Sequence, residues 1–131
     1  MKKGKLLNQP ISAVIAGMGH TDELVIADAG LPIPASTKRV DLALTRDIPR
    51  FIDTLQIILT ELKVERVIVA EEMLAVNPQV FNTIQELLDE VPIEQVSHED
   101  FKRRTASAMA VVRTGEFTPY ANIILIAGVV F

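Results

Sequence analysis

Short, apolar runs recur along this chain, and segments of helical periodicity separate them. Residues 24–27 are uniformly apolar and residues 66–70 are apolar after the first, which is the pattern of a strand covered on both faces. Such strands, alternating with helices, predict an α/β fold of three layers, α/β/α, with a largely parallel central sheet of about six strands. A chain of 131 residues is expected to form a single domain over residues 1–131.

Turn residues and helical stripes predict the other elements. An apolar stripe from Ile48 to Leu62 predicts a helix that Asp47 caps and that has Pro49 in its first turn. The last two strands are joined by few residues, so we expect a hairpin, because a parallel crossover needs a dozen or more residues. The expected helices cover 10–18, a segment from Pro49, 71–76, a segment from Pro78 and a segment from His98, and the expected strands cover 21–27, 39–45, 66–70, 93–96, 108–113 and 120–126.

Charge and composition exclude several classes of function. A net charge of −4 and an isoelectric point near 5.1 argue against a general nucleic-acid binder, because phosphate neutralisation requires clustered positive charge. The chain has no cysteine, which excludes disulfides, thiolate catalysis and cysteine-ligated zinc and is compatible with a cytoplasmic location. No secretory signal is expected, and the longest apolar run, residues 123–131, is too short for membrane insertion as a helix.

The apolar content points to self-association. Hydrophobic residues make up 49% of the chain and the mean hydropathy is +0.30, at the upper edge for a small domain. Burial between subunits is the natural outlet for apolar surface that one core does not absorb. We therefore expect a homo-oligomer, with the apolar C-terminal residues 127–131 in or near an interface.

One glycine-containing stretch places a histidine and an aspartate on either side of a strand. Asp28 follows the strand and would lie at its carboxyl end, where open α/β sheets bind ligands. His20 precedes the strand and is a candidate general acid or base because histidine titrates near neutrality, although a surface turn explains it equally well. Gly17 and Gly19 also precede the strand, so they do not form a dinucleotide site, and we expect a left-handed turn there.

Three further polar residues are candidates for ligand binding. His98 follows the expected cap Ser97 in the first turn of a helix. Tyr120 and Asn122 are expected on one face of the last strand, where a hydroxyl and an amide can bind a sugar or a similar hydroxyl-rich ligand. Each also has a plain structural interpretation, as a helix-start residue for His98 and as partners of nearby backbone for the other two.

Other reaction classes find little support in the pattern of residues. The two histidines are far apart, and the chain lacks HxH, HExxH and GxSxG motifs, so we expect no metal, no cofactor and no serine nucleophile. Acid–base or binding chemistry on a polar ligand remains. Lys102, Arg103 and Arg104 are expected on a solvated helix face; an anion site there would instead suit a phosphosugar isomerase.

Three segments of the chain resemble one known family. GMGHTDELVIADAGLPIP at residues 17–34, SHEDFK at 97–102 and PYANIILIAGVVF at 119–131 are similar, in the same order, to the D-ribose pyranase family and its fucose mutarotase relatives. The resemblance implies a cofactor-free isomerase that interconverts the β-pyranose and β-furanose forms of D-ribose. It also implies a cytoplasmic, ring-shaped homo-oligomer, a decamer in close members, whose sites lie between adjacent subunits.

The resemblance implies residue roles as well. His20 is then the catalytic proton donor, and Asp28, His98, Tyr120 and Asn122 line the sugar site. We hypothesise that His20 protonates the ring oxygen while Asp28 orients the imidazole or holds a sugar hydroxyl. The alternative from another class is a non-catalytic ribose-binding accessory protein of sugar uptake, which would bind ribose without speeding its ring exchange.

Overall fold

The computed structural model describes residues 1–131, in which helices pack against both faces of a central sheet. In chain order the elements are α1 (Gln9–Gly17), β1 (Glu23–Ala27), β2 (Arg39–Asp41), α2 (Phe51–Leu59), β3 (Val64–Ala70), α3 (Glu71–Val76), α4 (Pro78–Leu88), β4 (Ile93–Val96), α5 (His98–Arg104), β5 (Ala110–Arg113) and β6 (Ile123–Ala127). The six strands have the order β2-β5-β1-β6-β3-β4, and only β6 is antiparallel to its neighbours. The predicted three-layer α/β fold with a largely parallel sheet is confirmed.

Strand β1 shows how the sheet separates two cores. Leu24 and Ile26 lie in a cluster of 22 buried residues that helices α1, α2 and α4 complete. Val25 and Ala27 point to the opposite face, into a cluster of eight buried residues that includes Phe101 of α5. Because both faces are covered from Leu24 to Ala27, this part of the strand has only apolar side chains.

The predicted hairpin between the last two strands is wrong. Strand β1 lies between β5 and β6, pairing Leu24 in parallel with Ala110 and antiparallel with Leu125. The connecting loop crosses the end of β1, where the Thr114 N–H and hydroxyl donate to the Ala27 carbonyl at 2.9 and 2.7 Å. The chain therefore reverses as a hairpin would, but it passes over one strand.

Helix α2 begins with a remote cap, and the prediction that Asp47 caps it is wrong. Asp47 has φ of 60° and accepts a hydrogen bond from the Phe117 N–H at 3.1 Å. The first N–H of α2, that of Phe51, donates to Glu116 Oε1 at 3.3 Å. A carboxylate far along the sequence replaces the local one, which no local pattern reveals.

The turn after α1 also differs from its prediction. The helix ends at Gly17, one residue before the expected end at residue 18. No glycine has positive φ, and Thr21 adopts the left-handed conformation with φ of 70°. The Gly19 N–H donates to Asp22 Oδ2 at 2.8 Å, and the Thr21 N–H donates to the Ala127 carbonyl at 2.9 Å. The turn is therefore fixed by hydrogen bonds to the Asp22 side chain and to Ala127 at the end of β6, and not by a glycine in the left-handed conformation.

Smaller differences concern the strand ends and the C-terminus. The second strand stops at Asp41 rather than at residue 45, and the last strand begins at Ile123 rather than at residue 120. Val130 and Phe131 are exposed, so the apolar C-terminus does not dock within this chain, and its place at an interface stays a prediction. None of the helices combines the length and the apolar character needed to cross a membrane.

Candidate active site

A reciprocal pair of hydrogen bonds joins Asp28 to Asn122. The Asp28 N–H donates to Asn122 Oδ1 at 2.8 Å, and Asn122 Nδ2 donates to Asp28 Oδ2 at 2.9 Å. Oδ1 of Asp28 accepts from the Gly30 N–H at 2.9 Å. Asn122 is fully buried, while Asp28 remains partly exposed at the carboxyl end of β1, where it was predicted. The pair holds the carboxylate in one orientation and leaves part of its acceptor capacity free.

His98 and Tyr120 stand together beside this pair. Their rings meet edge to face with centroids 5.0 Å apart, and the His98 ring also stacks on Phe101 at 6.5 Å. Ser97 caps α5 as predicted, and the His98 N–H donates to Glu72 Oε2 at 2.7 Å. The Nδ1 atom of His98 is buried without a hydrogen-bond partner, a state that costs roughly 1–3 kcal/mol.

Tyr120 and Asn122 reach the site by a different route from the predicted one. Both precede β6, so strand alternation does not place them on one face, and that prediction is wrong. Tyr120 has φ of 64°, and the Asn122 N–H donates to the Tyr120 carbonyl at 2.8 Å. A tight turn at residues 120–122 therefore connects the partly exposed Tyr120 to the buried Asn122.

A cavity of about 450 Å³ lies at the carboxyl ends of the parallel strands and takes in most of these groups. Asp28, His98 and Tyr120 line it together, and Asn122, which is not a lining residue, holds Asp28 by hydrogen bonds. The remaining lining residues are Ala29, Gly30, Leu31, Pro32, Arg113, Glu116, Phe117, Thr118 and Pro119. No group of three or more His, Asp or Glu side chains lies close enough to hold a metal ion.

Arg113 is a cavity residue that sequence reasoning missed. Its Nε donates to the Ala29 carbonyl at 3.0 Å, and its Nη1 donates to both oxygens of Asp41 at 3.1 and 3.2 Å. Burial raises the pKa of Asp41, but hydrogen bonds from the Ala43 N–H and from Arg113 outweigh it and leave that pKa lowered. Arg113 ends a strand parallel to β1, so the shared carboxyl edge was the signal that could have found it.

Glu116 was also missed, and it links both walls of the cavity. Its carboxylate is buried, accepts from Arg50 Nη2 at 3.2 Å and from the Thr118 hydroxyl at 3.3 Å, and caps α2. Its backbone carbonyl accepts from the Ala29 N–H at 2.9 Å, directly after Asp28. The hydrogen bond to Glu116 and its negative charge raise the pKa of Arg50. No pattern in the sequence marks this residue.

His20 lies at the opposite end of β1 from Asp28. The five residues of β1 lie between them, and the strand alone spans roughly 16 Å at about 3.3 Å per residue. The His20 Nε2–H donates to Glu65 Oε2 at 2.8 Å, and His20 does not line the cavity. Within one chain Glu65, and not Asp28, is the carboxylate that contacts this imidazole. The hypothesis that Asp28 orients the imidazole or holds a sugar hydroxyl stays a prediction.

The basic cluster forms a solvated, paired helix face, as predicted. Lys102 pairs with Glu99 at 2.6 Å and Arg103 with Asp100 at 3.3 Å, and Arg104 pairs with Asp100 and Glu94. The Lys102 ammonium lowers the pKa of Glu99 by its hydrogen bond and its charge. None of the three cations lines the cavity. The one lysine or arginine that lines the cavity is Arg113, and it is already paired with Asp41.

The fold and the cavity define an α/β protein whose ligand site lies at the carboxyl ends of parallel strands, with carboxylate, imidazole and phenol groups lining it. The chain belongs to the RbsD / FucU transport protein family, whose model matches residues 1–130. The resemblance seen in the sequence motifs is thereby confirmed.

Individual relatives are similar over full length. The chain is 57% identical to a D-ribose pyranase of Coprothermobacter proteolyticus and 54% identical to one of Clostridium perfringens, with 100% of both chains covered in each case. Bacillus subtilis RbsD complexed with D-ribose has a TM-score of 0.97 at 49% identity over 100% of both chains. A fucose mutarotase of Streptococcus pneumoniae in complex with L-fucose has a TM-score of 0.83 at 27% identity, again over 100% of both chains.

Proposed function

We propose that this protein is a sugar ring isomerase, a D-ribose pyranase that interconverts the β-pyranose and β-furanose forms of D-ribose without a cofactor. The observation that carries the proposal is full-length similarity, at 57% identity, to a D-ribose pyranase, together with a fold like that of a ribose-bound relative. The chain acts as a single sugar-mutarotase domain over residues 1–131. One continuous sheet with a core on each face supports that extent.

The cavity has the groups that hold a sugar. Asp28 accepts hydrogen bonds from hydroxyls, since its two oxygens each have a free lone pair after binding Asn122 and Gly30. Tyr120 and His98 add a phenol and an imidazole to the lining of the same cavity.

The reaction itself needs only proton transfers. The C1–O5 bond of the pyranose breaks as O5 gains a proton and the anomeric hydroxyl loses one, which gives the open-chain aldehyde. The furanose forms when O4 attacks C1, as the O4 hydroxyl loses its proton and the aldehyde oxygen gains one. His20 is the proton donor to O5 in this proposal. A positioned acid or base accelerates such a step by about 10²–10⁴-fold.

The separation of His20 from the cavity supports a site shared between copies of the chain. Within one chain His20 and Asp28 stand at opposite edges of the sheet, so one copy cannot present both to one sugar. A neighbouring copy that places its His20 at the cavity completes the site, as the family resemblance implies. We propose a ring-shaped homodecamer that acts in the cytoplasm, in ribose catabolism, and supplies furanose to a kinase.

The direct test is the rate of exchange between ribose ring forms, measured by NMR magnetisation transfer with and without the purified protein. We expect faster exchange between the pyranose and furanose forms of D-ribose. We expect no such exchange for ribose 5-phosphate, because its O5 carries the phosphate and cannot close a pyranose ring. Light scattering on the same sample measures the size of the assembly. Exchange at the buffer rate would contradict the proposal.

The description of the matching family as a transport protein family favours a second candidate. As a non-catalytic accessory of ribose uptake, the protein would bind ribose through the same cavity and leave the exchange rate at its buffer value. Calorimetric binding combined with the exchange measurement separates the two. Binding without acceleration selects the accessory function, and binding with acceleration selects the isomerase.

A further inference from the structure

We propose that Glu65 is a positioning residue for His20: its carboxylate fixes the imidazole tautomer and directs Nδ1 toward the sugar. The inference rests on the proposed function, in which His20 donates the proton. The observation is the contact between His20 Nε2 and Glu65 Oε2 at 2.8 Å. It is the one hydrogen bond that the His20 ring makes within the chain.

The sheet brings these two residues together although they are far apart in the sequence. His20 precedes β1 and Glu65 lies near the start of β3, with the end of β6 between them. The Ala127 carbonyl of β6 accepts from the Thr21 N–H at 2.9 Å on one side, and Ala127 pairs with Val64 on the other. The backbone next to each partner is therefore held by the same residue of β6.

Gly128 leaves the space that the Glu65 side chain occupies. A Cβ at position 128 would lie 3.0 Å from the Glu65 Cβ, closer than ordinary van der Waals contact. The Gly128 N–H also donates to the Lys63 carbonyl at 2.9 Å, which holds the chain against β3 at this point. The environment thus keeps the base of the Glu65 side chain in place, while its carboxylate and the imidazole remain open to an approaching molecule.

The chemistry of the pair decides which nitrogen acts. An ionised carboxylate only accepts hydrogen bonds, so Nε2 of His20 carries the proton in this contact. The neutral ring then has its lone pair on Nδ1, and the imidazolium has a second N–H there. Since Nε2 is held by Glu65, the proton that passes to the sugar leaves from Nδ1, and Glu65 stabilises the tautomer that remains.

Glu65 is suited to a clean test because the pair is largely exposed: the side-chain exposures are 54% for His20 and 41% for Glu65. Exposed ion pairs contribute little to folding, so the fold is expected to survive their loss. Glu61→Gln is the matched control, since Glu61 also forms an ion pair, with Lys2 at 2.9 Å, but does not contact His20.

The experiment compares wild type, Glu65→Gln and Glu61→Gln in the ribose exchange assay, with ¹⁵N NMR of the His20 ring in the full-length protein. We expect Glu65→Gln to lower kcat about tenfold, which is a fraction of the 10²–10⁴-fold that an acid–base group contributes. The KM is expected to stay within about twofold of the wild-type KM. The neutral ring is expected to show the Nε2–H tautomer in wild type and Glu61→Gln and a mixture in Glu65→Gln. Glu65→Asp, which keeps an acceptor-only group, is expected to restore the Nε2–H tautomer and part of kcat.

Two outcomes overturn this inference separately from the proposed function. If His20→Ala loses the acceleration while Glu65→Gln keeps wild-type kcat, His20 is the donor but Glu65 does not position it. If Glu65→Gln lowers kcat while the His20 tautomer stays as in wild type, the positioning role is also wrong. Wild-type exchange in His20→Ala would instead overturn the proposed role of His20 itself.

Discussion

The two ends of β1 differ in how completely the chain builds them. At the carboxyl end, Asp28 is held by Asn122 and Gly30, and the loop that follows β5 crosses above it. At the amino end, His20 is exposed and has one partner, Glu65. The sugar-binding half of the proposed site is therefore pre-organised within one chain. His20, the proposed proton donor, is exposed, so it is able to reach the cavity of a neighbouring copy.

The largest expected effect tests whether the two ends act on one sugar. His20→Ala is expected to lower the exchange rate by about 10²–10⁴-fold, because an acid–base group is lost, and to change the melting temperature little, because the side chain is exposed. NMR magnetisation transfer and thermal unfolding measure the two effects. If the melting temperature fell together with the activity, His20 would serve the fold as well, and the contrast between a pre-organised carboxyl end and an exposed amino end of β1 would be wrong.

Mixing two inactive variants sharpens the same comparison. His20→Ala and Asp28→Asn are each expected to be inactive, and refolding them together in equal amounts is expected to restore about a quarter of wild-type exchange if each site takes one residue from each of two copies. Mixed assemblies are verified by native mass spectrometry. Mixed assemblies without any recovery would show that both residues must come from the same copy.

At the carboxyl end, Gly115→Ala is expected to destabilise the fold by about 3 kcal/mol. A Cβ there would lie within 2.7 Å of backbone atoms of Ile48 and also against the Thr45 carbonyl oxygen, so two backbone segments would have to separate. Urea unfolding measures the change. Gly17→Ala is the control, because a Cβ at Gly17 meets nothing within 4 Å. Equal stability of the two variants would mean that the crossing of the loops is looser than the structure shows.

Asn122→Ala is expected to lower the free energy of unfolding by about 2 kcal/mol, because loss of the buried amide leaves the Asp28 N–H and the Asp28 Oδ2 atom without their partner. The same change should weaken ribose binding, since the Asp28 carboxylate loses its fixed orientation. Urea unfolding and calorimetry measure the two quantities. Unchanged ribose affinity would show that the Asn122 contact serves folding alone.

The smallest expected effect concerns the pH dependence of stability. A hydrogen bond from the Phe117 N–H lowers the pKa of Asp47, so its contribution to stability is present above the ordinary aspartate pKa of about 4 and is lost as the pH falls through the lower pKa of the folded state. Asp47→Asn should therefore lose less stability than wild type between about pH 5 and pH 2. Melting temperatures measured across this range check it. A parallel pH dependence in the two proteins would rule out this role of Asp47.

Local patterns predicted the elements well and their connections poorly. The helix from Pro78, the strand over residues 93–96 and the Ser97 cap were all confirmed, because each depends on neighbours within a few residues. The predicted Asp47 cap and the predicted final hairpin were wrong. Glu116, far along the chain, caps α2, and β1 lies between the last two strands. A local pattern does not reveal which distant group satisfies a free helix N–H or which strand inserts between two others.

The amino-acid sequence by itself determined the α/β class, the helices and strands, and the carboxyl-edge position of Asp28, because periodicity and side-chain type act over short distances. It did not determine that Asn122 holds Asp28 or that Glu65 holds His20. Only the tertiary structure decided those pairs, since strand order brings residues together that are 94 and 45 positions apart. The separation of His20 from the cavity has the same cause, because a strand of five residues holds its two ends apart.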